Sequence, residues 1–340
     1  MENRILGRTG VSVSPLCLGT MMFGPWGNAD ETDSIRIIHR ALDAGINFVD
    51  TADVYSAGES ERIVGKALTG RRADDVLATK FFMPMGDEPN HRGGSRRWIM
   101  RSVEDSLRRL GTDYIDLYQV HRPSQDTDVE ETLSALTDLV RQGKIGYIGS
   151  SSYAASQIVE AQWAARDRRL ERFVTEQPPY SILVRGIESD VLPTALRHGM
   201  GILTYSPLGG GWLSGRWRKD NAATPTSAAR PKARFDMTTE ANQRKLEIVE
   251  NLAQLAEQEG MTLIDLAIAF VINHPAVTTA IIGPRTMEQL ESQLSGADVT
   301  LSADVLDRID ELVAPGVTVN PDDNSYGDTE LIPTARRRNH

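Results

Sequence analysis

The chain has almost no cysteine, no long apolar run and no surplus of positive charge, and each shortage excludes something. Its single cysteine, Cys17, cannot close an internal disulfide, which rules out a disulfide-built secreted scaffold. No apolar stretch approaches the roughly 20 residues needed to span a bilayer. The longest candidate, Leu263 to Ile272, is interrupted by Asp265. The opening Met1-Glu2-Asn3-Arg4 lacks the charged-then-apolar order of a secretory signal. A cytoplasmic protein without a membrane partner is the expectation. Acidic residues outnumber basic ones 47 to 37, a formal net charge of −10. That balance argues against nucleic acid or an anionic membrane as partner, since both need a basic surface. It does not argue against a small anionic cofactor, which needs only a local basic group. His39, His91, His198, His274 and His340 show no metal-ligand spacing, so no metal site is expected.

What the chain does have is length and regular patterning. Its 340 residues, 40% of them hydrophobic, suffice for one large α/β barrel or two ordinary domains. Short, nearly continuous apolar stretches predict strands at Ser14 to Leu18, Asn47 to Asp50, Val76 to Thr79 and Tyr114 to Val120. Four more follow at Gly146 to Gly149, Phe173 to Glu176, Ile202 to Tyr205 and Thr279 to Ile282. Amphipathic stretches such as Thr32 to Ala44, Ser95 to Leu110 and Val129 to Arg141 lie between them, and Asp43-Ala-Gly45 reads as a helix end. Most strand ends are about 26 to 41 residues apart, the length of one βα unit. Eight such units predict a (β/α)8 barrel, and the regular spacing disfavours a doubly wound two-domain fold. Ile5 to Val13 reads as a hairpin ahead of the barrel. The last interval is about twice the others and accommodates an insertion, Trp217 to Thr239, plus helices near Ala241 to Glu259 and Leu263 to Asn273. A single domain spanning 1–340 is expected, its core about 5–313 and its polar tail 314–340.

In such barrels the reactive groups sit at the C-terminal ends of the strands. Those ends carry Asp50-Thr51-Ala52-Asp53-Val54-Tyr55, Thr79-Lys80, Gln119-Val120-His121, Ser150-Ser151-Ser152, Glu176-Gln177 and Tyr205-Ser206. An Asp, a Tyr, a Lys and a His meeting at one mouth form an acid–base group. A tyrosine hydroxyl is a weak acid, and a nearby ammonium stabilises its anion while a carboxylate holds the ammonium in place. A histidine beside them orients a carbonyl oxygen or shares in proton transfer. Cys17 lies in an apolar strand and reads as inert core. Arg96-Arg97 and Arg108-Arg109 read as solvated faces.

Several of these stretches resemble the signature of the aldo-keto reductase superfamily, in order. They are Gly45-Ile-Asn47-Phe48-Val-Asp50-Thr51-Ala52-Asp53-Val54-Tyr55, Leu77-Ala-Thr79-Lys80, Arg109 to His121 and Gly143-Lys144-Ile-Gly-Tyr-Ile-Gly149-Ser-Ser. The resemblance runs from Leu6 to about Leu312 and is strongest to the bacterial branch near sugar-ketone reductases and potassium-channel β-subunit relatives. It implies a catalytic tetrad of Asp50, Tyr55, Lys80 and His121 with Tyr55 as general acid. It also implies NADPH lying across the barrel mouth and a carbonyl compound as substrate. Gly19, Thr20 and Met21 would flank that cofactor from the first barrel strand, and Asp50 from the second. Ser151, Ser152 and Gln177 would bind the nicotinamide amide, with Tyr205 stacked on the ring. Ser206, Pro207, Leu208 and Gly210 would line the diphosphate, where glycine permits close backbone approach. Ile282, Gly283, Arg285, Gln289 and Gln293 would surround the adenosine end, with Arg285 on the 2′-phosphate. Phe23, Trp26 and Phe82, with Tyr55 and His121, are the candidate substrate contacts.

Three departures from the family pattern stand out. Ser151-Ser152 replaces a frequent Ser-Asn, Ser292-Gln293 replaces a frequent Glu-Asn, and Tyr55 is followed by Ser56-Ala57-Gly58 rather than directly by glycine. Two other readings stay open. One is a cofactor-binding regulatory subunit with little turnover. The other is a barrel glycoside hydrolase using Asp53, Glu59 or Glu176, which needs two carboxylates flanking a sugar bond. The substrate itself is open among sugar ketones, steroid-like or terpenoid ketones and small aldehydes.

Overall fold

The computed structural model describes residues 1–219, 221–222 and 232–324. The chain opens with an antiparallel hairpin of β1 (Arg4–Ile5) and β2 (Ser12–Val13). A closed parallel barrel follows, of β3 (Leu16–Gly19), β4 (Phe48–Asp50), β5 (Val76–Phe81), β6 (Ile115–Val120), β7 (Ile145–Ser151), β8 (Thr175–Gln177) and β9 (Gly201–Tyr205). Between β9 and the closing strand lies the short pair β10 (Trp217–Arg218) and β11 (Asn221–Ala222); β12 (Thr279–Ile282) then pairs with both β9 and β3. The expected (β/α)8 barrel and its hairpin are therefore present. The helices are α1 (Glu31–Asp43), α2 (Glu59–Ala67), α3 (Arg96–Leu110), α4 (Val129–Arg141) and α5 (Ala155–Arg168). They continue with α6 (Val191–Arg197), α7 (Glu240–Gln258), α8 (Leu263–Ile272), α9 (Met287–Leu294) and α10 (Ala303–Leu312).

Local chemistry sets the boundaries. Asp30 caps α1 by accepting from Asp33 N, and Ser95 caps α3 by accepting from Trp98 N. Such a cap is worth about 1 kcal/mol. Gly111 ends α3 at φ 62, the left-handed conformation that glycine adopts without a Cβ penalty. Each strand then divides its side chains by period two. Outward residues such as Leu18, Val49, Leu77, Phe81, Tyr118, Val120 and Ile148 pack under the helices in the larger core. Inward residues Cys17, Phe48, Ala78, Leu117, Leu203 and Ile281 fill the barrel and meet Leu6 and Val13 of the hairpin, which plugs its N-terminal end. Cys17 is fully buried among them, and burial pushes its thiol far above the ordinary range, so it stays a small apolar residue.

Of the insertion expected over Trp217 to Thr239, residues 220 and 223–231 lie outside the described residues. Within them, Trp212, Trp217 and Phe235 stack on one another with ring centroids 4.8 to 6.0 Å apart. Of the polar tail, the described part packs onto the loop after β8: Arg185 N donates to Val317 O and Val319 N to Leu183 O, each at 3.0 Å. Among the described residues no helix is long and apolar enough to cross a membrane.

Candidate active site

Register places the site at the C-terminal end of the barrel. Asp50 on β4 pairs with Ala78, so Lys80 stands two residues further along β5, beside Gln119 on β6. Both Asp50 and Lys80 are buried, and Lys80 Nζ donates to Asp50 Oδ1 at 2.5 Å, to Thr51 O at 2.8 Å and to Tyr55 Oη at 3.4 Å. The other Asp50 oxygen accepts from Gln119 Nε2 at 3.0 Å and Gln177 Nε2 at 2.9 Å. A buried ion pair is tolerable only when its remaining lone pairs and protons are satisfied, and these neighbours satisfy them. The His121 ring stands edge-on to Tyr55 with centroids 5.8 Å apart. Sequence positions 50, 55, 80 and 121 thus converge on one mouth.

The electrostatics follow from this packing. Burial pulls the Lys80 ammonium down, but the Asp50 carboxylate and the Tyr55 hydroxyl more than restore it, and its net shift is upward. For Tyr55 the balance corrects the simple expectation that a lysine lowers a phenol. Burial, with the Asp50 charge, raises it more than the Lys80 charge and hydrogen bond and the Arg122 charge lower it, so the hydroxyl keeps its proton at neutral pH. His121 is pushed well below its ordinary value by burial and by the charges of Lys80 and Arg122, which makes it a neutral imidazole. A protonated phenol, a fixed ammonium and a neutral imidazole at one opening can hand a proton to an oxygen placed among them.

Backbone strain concentrates at the same mouth. Among the described residues six non-glycine residues have positive φ, and five of them, Ser56, Ala57, Phe82, Ser152 and Ser206, lie on loops that follow barrel strands. Such conformations cost of order 1–3 kcal/mol each and persist where the surroundings impose them, commonly at functional sites. In the Ser56-Ala57-Gly58 departure all three residues are left-handed, and the turn holds because Ser56 Oγ donates to Phe23 O and accepts from Trp26 N, each at 3.3 Å.

The cofactor positions named from the resemblance divide into three groups. Ser151 Oγ donates to Gln177 O at 2.9 Å, and Tyr205 Oη lies 3.4 Å from Ser152 Oγ, so these residues are gathered beside the tetrad. Next to them Tyr205, Ser206 and Gly210 line a solvent-open cleft, together with Trp212, Arg234 and Ser181, whose buried Oγ has no partner among the described residues. Across the mouth, Gly283 follows β12 with open space where a Cβ would stand, and Gln289 Oε1 accepts from Arg285 N at 2.8 Å. No carboxylate pairs with the Arg285 guanidinium among the described residues. An orphaned hydroxyl, a glycine-lined cleft and an uncommitted arginine fit an extended anionic dinucleotide.

The other named cofactor positions are buried or half-buried. Gly19 is glycine because a Cβ there would lie 2.6 Å from Ile281, and Thr20 is fully buried with its hydroxyl on Ser60 at 2.8 Å. Ile282 is core, Gln293 is buried and Leu208 packs on the core from its edge. Met21 is half-buried and Pro207 buried. Of the candidate substrate contacts, Trp26 is exposed with its ring 6.3 Å from Tyr55, and Phe82 is partly buried. Phe23 instead has no exposed surface. Phe23 N bonds Thr20 O and Asn28 N bonds Met22 O, a tight turn that folds the ring into the core.

Several contributors carried no role in the sequence reading. Gln119 was visible at its strand end, two residues before His121, but its bond to Asp50 was not. Arg122 Nη1 donates to Ser152 Oγ at 2.9 Å, supporting the serine that stands where an asparagine is frequent. Arg109, read as solvated, is mostly buried against Glu61 at 2.6 Å, and Glu61 in turn accepts from Thr79 Oγ1 at 2.6 Å. The three carboxylates of a hydrolase do not face one another. Asp53 accepts from Ser102 behind the barrel, Glu176 from Ser150 Oγ and Tyr153 N, and Glu59 pairs with Arg62 on the surface. Among the described residues no three His, Cys, Asp or Glu side chains gather as metal ligands.

Barrel, plugging hairpin and the Asp–Tyr–Lys–His mouth together define a carbonyl-handling oxidoreductase of the barrel class. The chain belongs to the aldo/keto reductase family, whose model matches residues 15–314. It is 42% identical over 323 residues to the uncharacterized oxidoreductase YrpG of Bacillus subtilis (strain 168), covering 92% of this chain and 96% of that one. It is 35% identical over 331 residues to a probable voltage-gated potassium channel subunit beta of Arabidopsis thaliana, covering 92% and 97%. It is also 35% identical over 303 residues to the aldo-keto reductase YhdN of Bacillus subtilis, covering 87% and 89%. Family membership carries oxidoreductase activity on carbonyl compounds, and members generally use nicotinamide cofactors.

Proposed function

We propose that this protein reduces an aldehyde or ketone to an alcohol with NADPH, using Tyr55 as proton donor. The observation that carries this reading is Lys80 Nζ held 2.5 Å from Asp50 Oδ1 and 3.4 Å from Tyr55 Oη, with the His121 ring edge-on to the phenol. Ser151, Ser152 and Gln177 would hold the amide of a reduced nicotinamide, Tyr205 its ring and Arg285 the 2′-phosphate, and that group would supply the hydride taken up by the carbonyl carbon. His121, neutral, donates a hydrogen bond that orients the carbonyl oxygen. Tyr55 Oη gives its proton to that oxygen as negative charge develops there. Lys80 stabilises the tyrosinate left behind, Asp50 keeps Lys80 charged, and water reprotonates Tyr55. General acid catalysis of this kind is worth about 10² to 10⁴-fold.

The test is NADPH oxidation measured against a broad panel of aldehydes and ketones, with NADH in parallel. Turnover with NADPH in preference to NADH, and loss of that preference in Arg285→Ala, is expected. Similarity to a potassium channel subunit beta favours one rival, a cofactor-holding subunit. It gains the field if NADPH binds tightly and no member of the panel is reduced.

A further inference from the structure

Arg122 follows His121 directly at the end of β6 and is half-buried at the mouth. Its Nη1 donates to His121 O and to Ser152 Oγ, both at 2.9 Å, which fixes the plane of the guanidinium. Both N–H groups of Nη1 are thereby used. Nε and Nη2 have no protein partner among the described residues, and neither is among the buried unpartnered atoms, so both reach solvent. These two nitrogens form the forked edge that matches a carboxylate or phosphate with two parallel hydrogen bonds. Three other arginines drawn into the fold are neutralised, Arg109 by Glu61, Arg185 by Glu188 and Asp310, Arg218 by Glu250 and Glu257, whereas half-buried Arg4 and Arg285, like Arg122, have no carboxylate partner among the described residues. Arg122 has no carboxylate within ion-pair distance among the described residues, in a chain with a net charge of −10. Its charge is nevertheless felt at the reacting groups, lowering both Tyr55 and His121.

We propose that Arg122 is the specificity-determining residue of the site, and that it selects carbonyl compounds bearing a carboxylate or phosphate close to the carbonyl carbon. The inference rests on the reductase reading above. It adds the charge of the substrate. The phosphates of a dinucleotide are placed at Ser206 to Gly210 and at Arg285, and the nicotinamide amide is neutral, so the anion that meets Arg122 comes from the substrate. Pinning Nη1 keeps the fork from collapsing onto Tyr55 or His121 when no substrate is bound.

Two matched pairs test it: pyruvate against methyl pyruvate, and dihydroxyacetone phosphate against dihydroxyacetone. Wild type is expected to favour the charged member of at least one pair, and the pair that responds identifies carboxylate or phosphate. In Arg122→Met, whatever both members lose through Ser152 and His121, KM for the charged member rises about 10- to 100-fold more than KM for its neutral counterpart, the value of a hydrogen-bonded charge pair. Arg122→Lys restores part of the loss. A second readout needs no turnover: titration of the NADP+-loaded protein with oxamate and with ethyl oxamate, and with inorganic phosphate for the phosphate arm. Tighter binding of the anion by wild type, lost in Arg122→Met, supports the proposal even if no carbonyl in the panel is reduced, an outcome that counts only against the reductase reading. Equal losses for charged and neutral members would overturn it, leaving Arg122 a brace between His121 and Ser152. So would a wild-type preference for the uncharged members, or anion binding that Arg122→Met leaves unchanged.

Discussion

The two ends of the barrel are made from the same strands under opposite rules. At the lower end the inward positions are Cys17, Phe48, Ala78, Leu117, Leu203 and Ile281, closed over by Leu6 and Val13. Two residues further along the same strands they become Gly19, Asp50, Lys80, Gln119, Tyr205 and Gly283. One pleat repeat, roughly 6–7 Å, separates a dry core from an acid–base site. The inward layer of the lower end is apolar, and burial favours it. The upper end buries an ion pair that burial opposes, and it stands because Gln119, Gln177 and Thr51 O complete the hydrogen bonds. Stability is stored below and chemistry is placed above, so substitutions at the two levels should fail in different ways.

The largest effect is expected at Lys80. Lys80→Met leaves the Asp50 carboxylate buried without its counter-charge, which costs about 3–5 kcal/mol, and removes the ammonium beside Tyr55. Denaturant unfolding should show that loss, and the folded fraction should have no measurable turnover. Phe48→Ala, one pleat below Asp50, is expected to cost a similar 3–5 kcal/mol through the cavity it leaves, but to keep kcat per folded molecule. Loss of kcat without loss of stability at Phe48 would erase the distinction between the two levels.

A smaller effect sharpens the comparison through pH. Burial lifts the Glu176 carboxyl to about 7 against hydrogen bonds from Ser150 Oγ and the backbone N–H groups of Tyr153 and Ser152. A carboxyl raised in the folded state binds a proton that the unfolded chain has released. Folding stability therefore falls as pH rises from about 4.5 to about 7, and is flat above that. At about 1.4 kcal/mol for each pH unit, the fall is at most roughly 3.5 kcal/mol. Glu176→Gln should lack this slope when both proteins are unfolded in urea between about pH 5 and 8; parallel curves would refute the assignment. The smallest effect lies away from both ends. Ser95→Ala removes the cap on Trp98 N and should cost about 1 kcal/mol in the same assay with kcat unchanged.

Much of the fold was legible because parallel strands covered on both faces read as unbroken apolar runs. Val76, Tyr114 and Thr279 were placed within a residue of the true strand starts for that reason. The strand at Gly146 to Gly149 was read too short: β7 runs from Ile145 to Ser151, because its glycines and serines carry little strand signal and are recruited by partners on both sides. The convergence of Asp50, Tyr55, Lys80 and His121 was legible through motifs and strand-end logic. What escaped were contacts made between distant elements. Arg109 and Glu61 lie 48 residues apart and meet only because α2 packs on α3, and Gln177 reaches Asp50 across 127 residues. Phe23 escaped as well, since whether a mouth loop turns its ring inward depends on the tight hydrogen-bonded turn from Thr20 to Asn28 rather than on residue type.

Proton delivery turns on one hydroxyl, and removing it is the most direct test. Tyr55→Phe keeps the ring against Trp26 and His121 while deleting the atom 3.4 Å from Lys80 Nζ. With the best substrate of the panel, pre-steady-state reduction should slow by about 10² to 10⁴-fold. NADPH affinity, measured on the same samples by fluorescence titration, should be unchanged. Reduction at close to the wild-type rate by that variant would contradict the central claim.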